Sequence, residues 1–118
     1  MAYTKTSYLE HTAVRVKDIH WHIKFFKEAL GMPLRQVSGD ASDPIQVWTV
    51  GGVQLVNDKS FEGPEGRMVH LGIYTDDLAA ALDEVYKFRG VKELPNGRNW
   101  FQLPDGLQVE LMQNPKTA

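Results

Sequence analysis

A chain of 118 residues, 42% hydrophobic and 24% charged, suits one soluble domain able to bury about two-thirds of the surface its unfolded form exposes. Thirteen Lys and Arg against fifteen Asp and Glu leave a net charge of −2, which gives nucleic acid no basic field, and the absence of cysteine excludes disulfides and Cys-based metal sites. No apolar run approaches the roughly 20 residues of a membrane helix, and residues 1–7 lack the apolar stretch of a signal peptide, so a cytoplasmic protein without a membrane partner is expected.

Residues 8–16 alternate, with Thr12, Val14 and Val16 on one face and His11, Ala13 and Arg15 on the other, which predicts a strand. Asp18 offers the short acceptor side chain of a helix N-cap. Ile19, Ile23, Phe26 and Leu30 recur at helical spacing, and Gly31 followed by Pro33 predicts the stop. Short strands are expected at 34–37, 45–50 and 53–56, the last two joined by Gly51-Gly52. A loop rich in Gly, Pro and charge, 59–66, precedes a strand at 68–75 and a cap at Asp77. Leu78, Leu82 and Val85 then predict a helix ending at Gly90. Strands at 91–94, 99–103 and 107–112 follow, with turns at Asn96-Gly97 and Pro104-Asp105-Gly106.

The order is β-α-β-β-β, twice. His11 and His70 lie 59 positions apart, as do Asp18 and Asp77, and Gly31 and Gly90, and 59 is half the chain. Either half alone would be marginal in water, so a single α+β domain over 1–118 is expected. Its first module covers about 8–57, a linker about 58–66 and the second module about 67–113.

The repeat sets His11 and His70 at equivalent places in equivalent strands. The closing strands carry Val53-Gln54-Leu55 and Val109-Glu110-Leu111, in which the polar residue faces opposite to its apolar neighbours. Either these are ordinary polar residues of half-solvated strands, or His11, Gln54, His70 and Glu110 converge. Two imidazoles, an amide oxygen and a carboxylate suit one divalent ion such as Ni, Co, Zn, Fe(II) or Mn. Arg15, four residues after His11 and on its face, either anchors a substrate anion or pairs with a local acid. Tyr74, its repeat partner, offers a hydroxyl or packs, and Trp48, Trp100 and Phe101 either line a substrate pocket or fill core and dimer contacts. His20 and His22, beside Trp21 on the first helix, read as surface or interface residues.

HTAVRVKD, a helix ending ALGM, HLGIYTDDL and LPDGLQVEL, in this order, resemble the vicinal oxygen chelate superfamily of glyoxalase I, methylmalonyl-CoA epimerase, bleomycin-resistance proteins and extradiol dioxygenases. The resemblance runs from about Tyr8 to Met112 and implies paired βαβββ modules around a metal-binding cleft. It implies His11, Gln54, His70 and Glu110 as metal ligands, with Gln54 a departure from the glutamate usual in glyoxalase I and closer to the epimerase pattern. Arg15 stands where glyoxalase I grips a glutathione carboxylate. The function so implied is a lyase or isomerase working through an enediolate or enolate on a small oxygen-chelating substrate, with Glu110 as the base and a homodimer as the expected assembly. A dioxygenase using His11, His70 and Glu110 alone, and a metal-free drug-binding protein, are the rival expectations.

Overall fold

In the computed structural model, which describes residues 2–117, the elements run β1 (Ser7–Val16), α1 (Ile19–Leu30), β2 (Leu34–Asp40), β3 (Asp43–Thr49), β4 (Val53–Asn57), β5 (Met68–Thr75), α2 (Leu78–Val85), β6 (Lys92–Leu94), β7 (Gly97–Gln102) and β8 (Gln108–Gln113). This is the α+β order expected from the repeat. No helix among the described residues is long and apolar enough to cross a membrane. The chain divides into two compact units, one of them His11–Val69 and the other the rest, so the division cuts β1 after Glu10 and β5 after Val69.

Within His11–Val69 the strand order is β2-β3-β4-β1. The β2–β3 and β3–β4 pairs are antiparallel, whereas β1 and β4 are parallel. A parallel pair needs a long return connection, and α1 lies within it. The Asp18 carboxylate accepts the Trp21 N–H at 3.2 Å, meeting one of the helix's unpaired donors. Gly31 ends the helix at φ 69, where its N–H bonds the Lys27 carbonyl. The apolar face of α1 supplies Ile19, Ile23 and Phe26 to a core with Val16, Val47 and Leu55. At the β2–β3 turn, the Asp43 carboxylate lies 2.9 Å from the Lys59 ammonium, which holds it below the usual carboxylate range and ties the turn to the end of β4.

The other unit repeats the plan as β5-β8-β7-β6, with β5 parallel to β8 and α2 in the connection. Asp77 accepts the Ala80 N–H at 3.1 Å, and the Gln113 side-chain oxygen accepts from Leu78 N–H at 2.9 Å, so the first turn is capped from two directions. The N-terminal segment is fastened here too: the Tyr3 hydroxyl meets Thr75 Oγ1 at 2.7 Å and accepts the Asp77 N–H at 2.8 Å. Ala81, Leu82, Phe101, Val109 and Leu111 form the core.

The second helix departs from expectation by stopping at Val85, five residues before Gly90. Its continuation tightens, with Lys87 N–H bonded to the Glu84 carbonyl and Phe88 N–H to the Val85 carbonyl. Val, Tyr and Phe are poor helix formers, and here the Tyr86 side chain competes with the helix. Its ring packs edge-on to Phe101 at 6.1 Å and its hydroxyl donates to the Arg98 carbonyl at 2.5 Å. Those tertiary contacts outweigh another turn of helix.

Leu55 is among the largest fully buried side chains, at 1% exposure. Leu55→Ala is expected to cost about 3 kcal/mol in urea unfolding, and a loss below about 1 kcal/mol would show that the core around β4 closes over the cavity.

Candidate metal centre

Strand register decides which side chains share a face. In His11–Val69, β1 pairs with β4 so that Ala13 lies beside Gln54 and Val14 beside Leu55. Gln54 therefore joins the face of Ala13 and His11, while Leu55 and Val14 turn toward α1. His11 is 4% and Gln54 3% exposed. On the other side of β4, Trp48 of β3 is the direct cross-strand partner of Gln54. The Gln54 Nε2 donates to Gln46 Oε1 at 2.7 Å, but the buried Gln54 Oε1 accepts no hydrogen bond. Burying an acceptor without a partner is costly, so this oxygen is available to a ligand.

The other unit builds the same arrangement. Gly72 of β5 lies beside Glu110 of β8, with His70 two residues before Gly72. His70 Nε2 is 3.5 Å from Glu110 Oε1, and both groups are shielded, the histidine almost wholly. Trp100 of β7 is the cross-strand partner of Glu110, and its ring meets the His70 ring edge-on at 4.9 Å. Each unit thus places a histidine, then a small residue (Ala13 or Gly72) beside the acceptor, with a tryptophan on the acceptor's far side.

His11, His70 and Glu110 form a group able to hold a metal ion: each offers one ligand atom, and the three atoms lie within 4.8 Å of one another. Two imidazoles and one carboxylate match the nitrogen and oxygen donors that divalent transition ions take. Of the remaining expected residues, Tyr74 shares the β5 face of His70 and lies edge-on to Tyr8 at 5.8 Å. The Arg15 guanidinium donates to the Gly66 carbonyl at 2.7 Å and lies 3.7 Å from Asp58, which engages it with the 58–66 segment. His20 bonds the backbone oxygen of Ser42 in the β2–β3 turn, and His22 that of Asp18, the residue capping its own helix. Gln46, which fixes the Gln54 amide, was not anticipated; its place two residues before Trp48 on the same strand is the signal that would have found it.

A family model described as the Glyoxalase/Bleomycin resistance protein/Dioxygenase superfamily matches residues 8–111. The uncharacterized protein YwbC of Bacillus subtilis (strain 168) is 31% identical over 121 residues, an alignment covering 89% of this chain and 96% of YwbC. Among solved structures, the 2,3-dioxygenase LapB from Pseudomonas sp. KL28 is similar with a TM-score of 0.66 at 17% identity, over 90% of this chain but only 42% of LapB. A Streptomyces coelicolor methylmalonyl-CoA epimerase variant in complex with 2-nitronate-propionyl-CoA is similar with a TM-score of 0.65 at 15% identity, over 95% of this chain and 96% of its own. At these identities the two structures speak for the fold.

The unpartnered Gln54 oxygen gives a test that needs no substrate. In chelator-treated protein, a Gln46→Leu, Gln54→Met double variant removes the buried acceptor together with both ends of the amide hydrogen bond, and is expected to raise unfolding stability by about 1 kcal/mol. A loss of similar size would show that the oxygen is satisfied without a metal.

Proposed function

Since the chain belongs to the Glyoxalase/Bleomycin resistance protein/Dioxygenase superfamily, we propose that it is a metal-dependent lyase or isomerase of the glyoxalase type, acting through an enediolate or enolate on a small substrate with two adjacent oxygens. The reading is supported by the group of His11, His70 and Glu110, and by the buried, unpartnered oxygen of Gln54 on the strand face that His11 shares. In it, those four residues hold one divalent ion, Ni, Co, Zn, Fe or Mn, and residues 1–118 act as a single domain whose two modules each supply a histidine and an acceptor. The ion supplies the positive charge that polarises the substrate oxygens.

The side chains divide the remaining work. Glu110 is the carboxylate that takes the proton next to the substrate carbonyl and returns it, since Gln54 has no basic oxygen for that task. Gln54, being neutral, leaves Glu110 as the single anionic ligand, so negative charge developing on the substrate is not opposed by a second carboxylate. Gln46 restrains the Gln54 side chain through the hydrogen bond between their amides. Trp48 and Trp100, set beside the two acceptors, bind the apolar part of the substrate and exclude water. Tyr74 offers a hydroxyl on the His70 face. Arg15 meets a substrate anion only by exchanging its contacts with Gly66 and Asp58. The same proposal takes the working form to be a cytoplasmic homodimer.

A second reading, an Fe(II) or Mn(II) dioxygenase, draws support from the three-residue composition of the group, two histidines and one carboxylate. Elemental analysis of untagged protein is expected to find about one equivalent of a transition metal, and His70→Ala to lose it while keeping its circular dichroism. Less than about a tenth of an equivalent, unchanged by reloading, rejects both metalloenzyme readings and leaves a metal-free binder. Oxygen uptake with a panel of catechols separates the two: the lyase or isomerase reading expects none.

A further inference from the structure

The unit outside His11–Val69 contains an open apolar groove of about 1030 Å³ alongside α2. Tyr3, Val85, Phe101, Leu103, Val109 and Leu111 supply its walls. Val109 and Leu111 alternate with Glu110 along β8, so the groove lies on the opposite face of that strand from the carboxylate. It is therefore a second site, apart from the candidate metal centre.

Its origin can be read from the repeat. α1 runs 12 residues and α2 only 8. By the 59-residue offset, Phe26, which packs on the first core, corresponds to Val85, and Leu30 corresponds to Arg89. A smaller side chain and a missing turn leave open the surface that α1 covers in its own unit. Apolar surface of this extent, in the size range of small-molecule pockets, is not left open without consequence.

The rim carries charge of one predominant sign. Glu84, Lys87 and Arg89 border the groove, and Lys87 is committed to Glu84 at 2.5 Å. Arg89 has no hydrogen-bond or ion-pair partner among the described residues. An apolar trough with one unpaired guanidinium at its edge matches a ligand with an apolar body and a single anionic end. We propose that this groove binds an anionic amphiphile, an aliphatic or aromatic chain ending in a carboxylate, with the carboxylate on Arg89. Phe88, 72% exposed beside the mouth, lies where it can fold over the bound chain.

Decanoate is the probe, titrated into the full chain by calorimetry. Saturable binding of one equivalent is expected, tighter than that of decanol. Arg89→Glu, an exposed substitution that leaves the core intact, should weaken decanoate about fivefold or more while leaving decanol unchanged. Val85→Trp fills the trough and should abolish binding of both with circular dichroism retained. Equal affinity for decanoate and decanol, or an Arg89→Glu variant that binds decanoate as well as before, overturns the proposal. So does the absence of saturable binding, and a groove covered by a second copy would give that result together with a dimer in sedimentation that Val85→Trp dissociates. None of these readouts involves a metal, so the result is independent of the reading of the metal centre.

Discussion

The parallel pairing of the first and last strand in each half is the constraint on which the rest depends. β1 with β4, and β5 with β8, put an alternating strand beside another in a register that sorts side chains to two faces. Val14 and Leu55, or Ile73 and Leu111, go toward the helix and the core. Ala13 and Gln54, or Gly72 and Glu110, go to the other face. A slip of one residue would turn Gln54 or Glu110 into the apolar layer and bring a leucine out, exchanging burial of hydrocarbon for burial of an unpaired polar group. The apolar core thus fixes the polar face, and the chemistry inherits the precision of the packing.

That polar face is held at a thermodynamic cost. His11, His70 and Gln54 are each nearly inaccessible to water, and the Gln54 oxygen has no acceptor bond to compensate its burial. A buried acceptor without a partner costs the folded chain stability that a bound partner would return. Gln46 matters for the same reason. Its Oε1 accepts the Gln54 N–H at 2.7 Å, which ties the two amides together on one face of the β3–β4 pair.

Much of this was legible from residue spacing, because the decisive signals are local. Asp18, Asp77 and Gly31 announce the helix ends, and the structure shows the N-cap hydrogen bonds and left-handed C-cap that those residues imply. The 59-residue offset sets the two histidines in equivalent strands, and the shared apolar-polar-apolar pattern of the closing strands picks out the two acceptors. What spacing could not reach depends on register between strands distant in sequence. Trp48 beside Gln54 and Trp100 beside Glu110 are cross-strand relations, and nothing in either strand alone sets them. Gln46 shares a strand face with Trp48, but its contact with Gln54 is likewise a cross-strand relation. The early end of α2 was missed because tertiary contacts of Tyr86, with Phe101 and the Arg98 carbonyl, override a helical pattern that continues past it.

The repeat's two copies also show how symmetry and divergence divide the labour. Where the halves agree, in His11 and His70, Ala13 and Gly72, Trp48 and Trp100, they agree on the polar face. Where they differ most, in the four residues by which α2 falls short of α1, the difference lies on the helix-covered face. A strand with independent faces permits this, since Val109 and Leu111 can line an open groove without moving Glu110. The core tolerates the loss of a helical turn because Tyr86 and the N-terminal Tyr3 both pack against it. Tyr3 also bonds Thr75 and Asp77 at the ends of β5 and the α2 cap, which fixes the groove's rim to the same framework that positions His70. One face of β5 and β8 is therefore constrained by the chemistry proposed for it, while the other is free to acquire a second ligand.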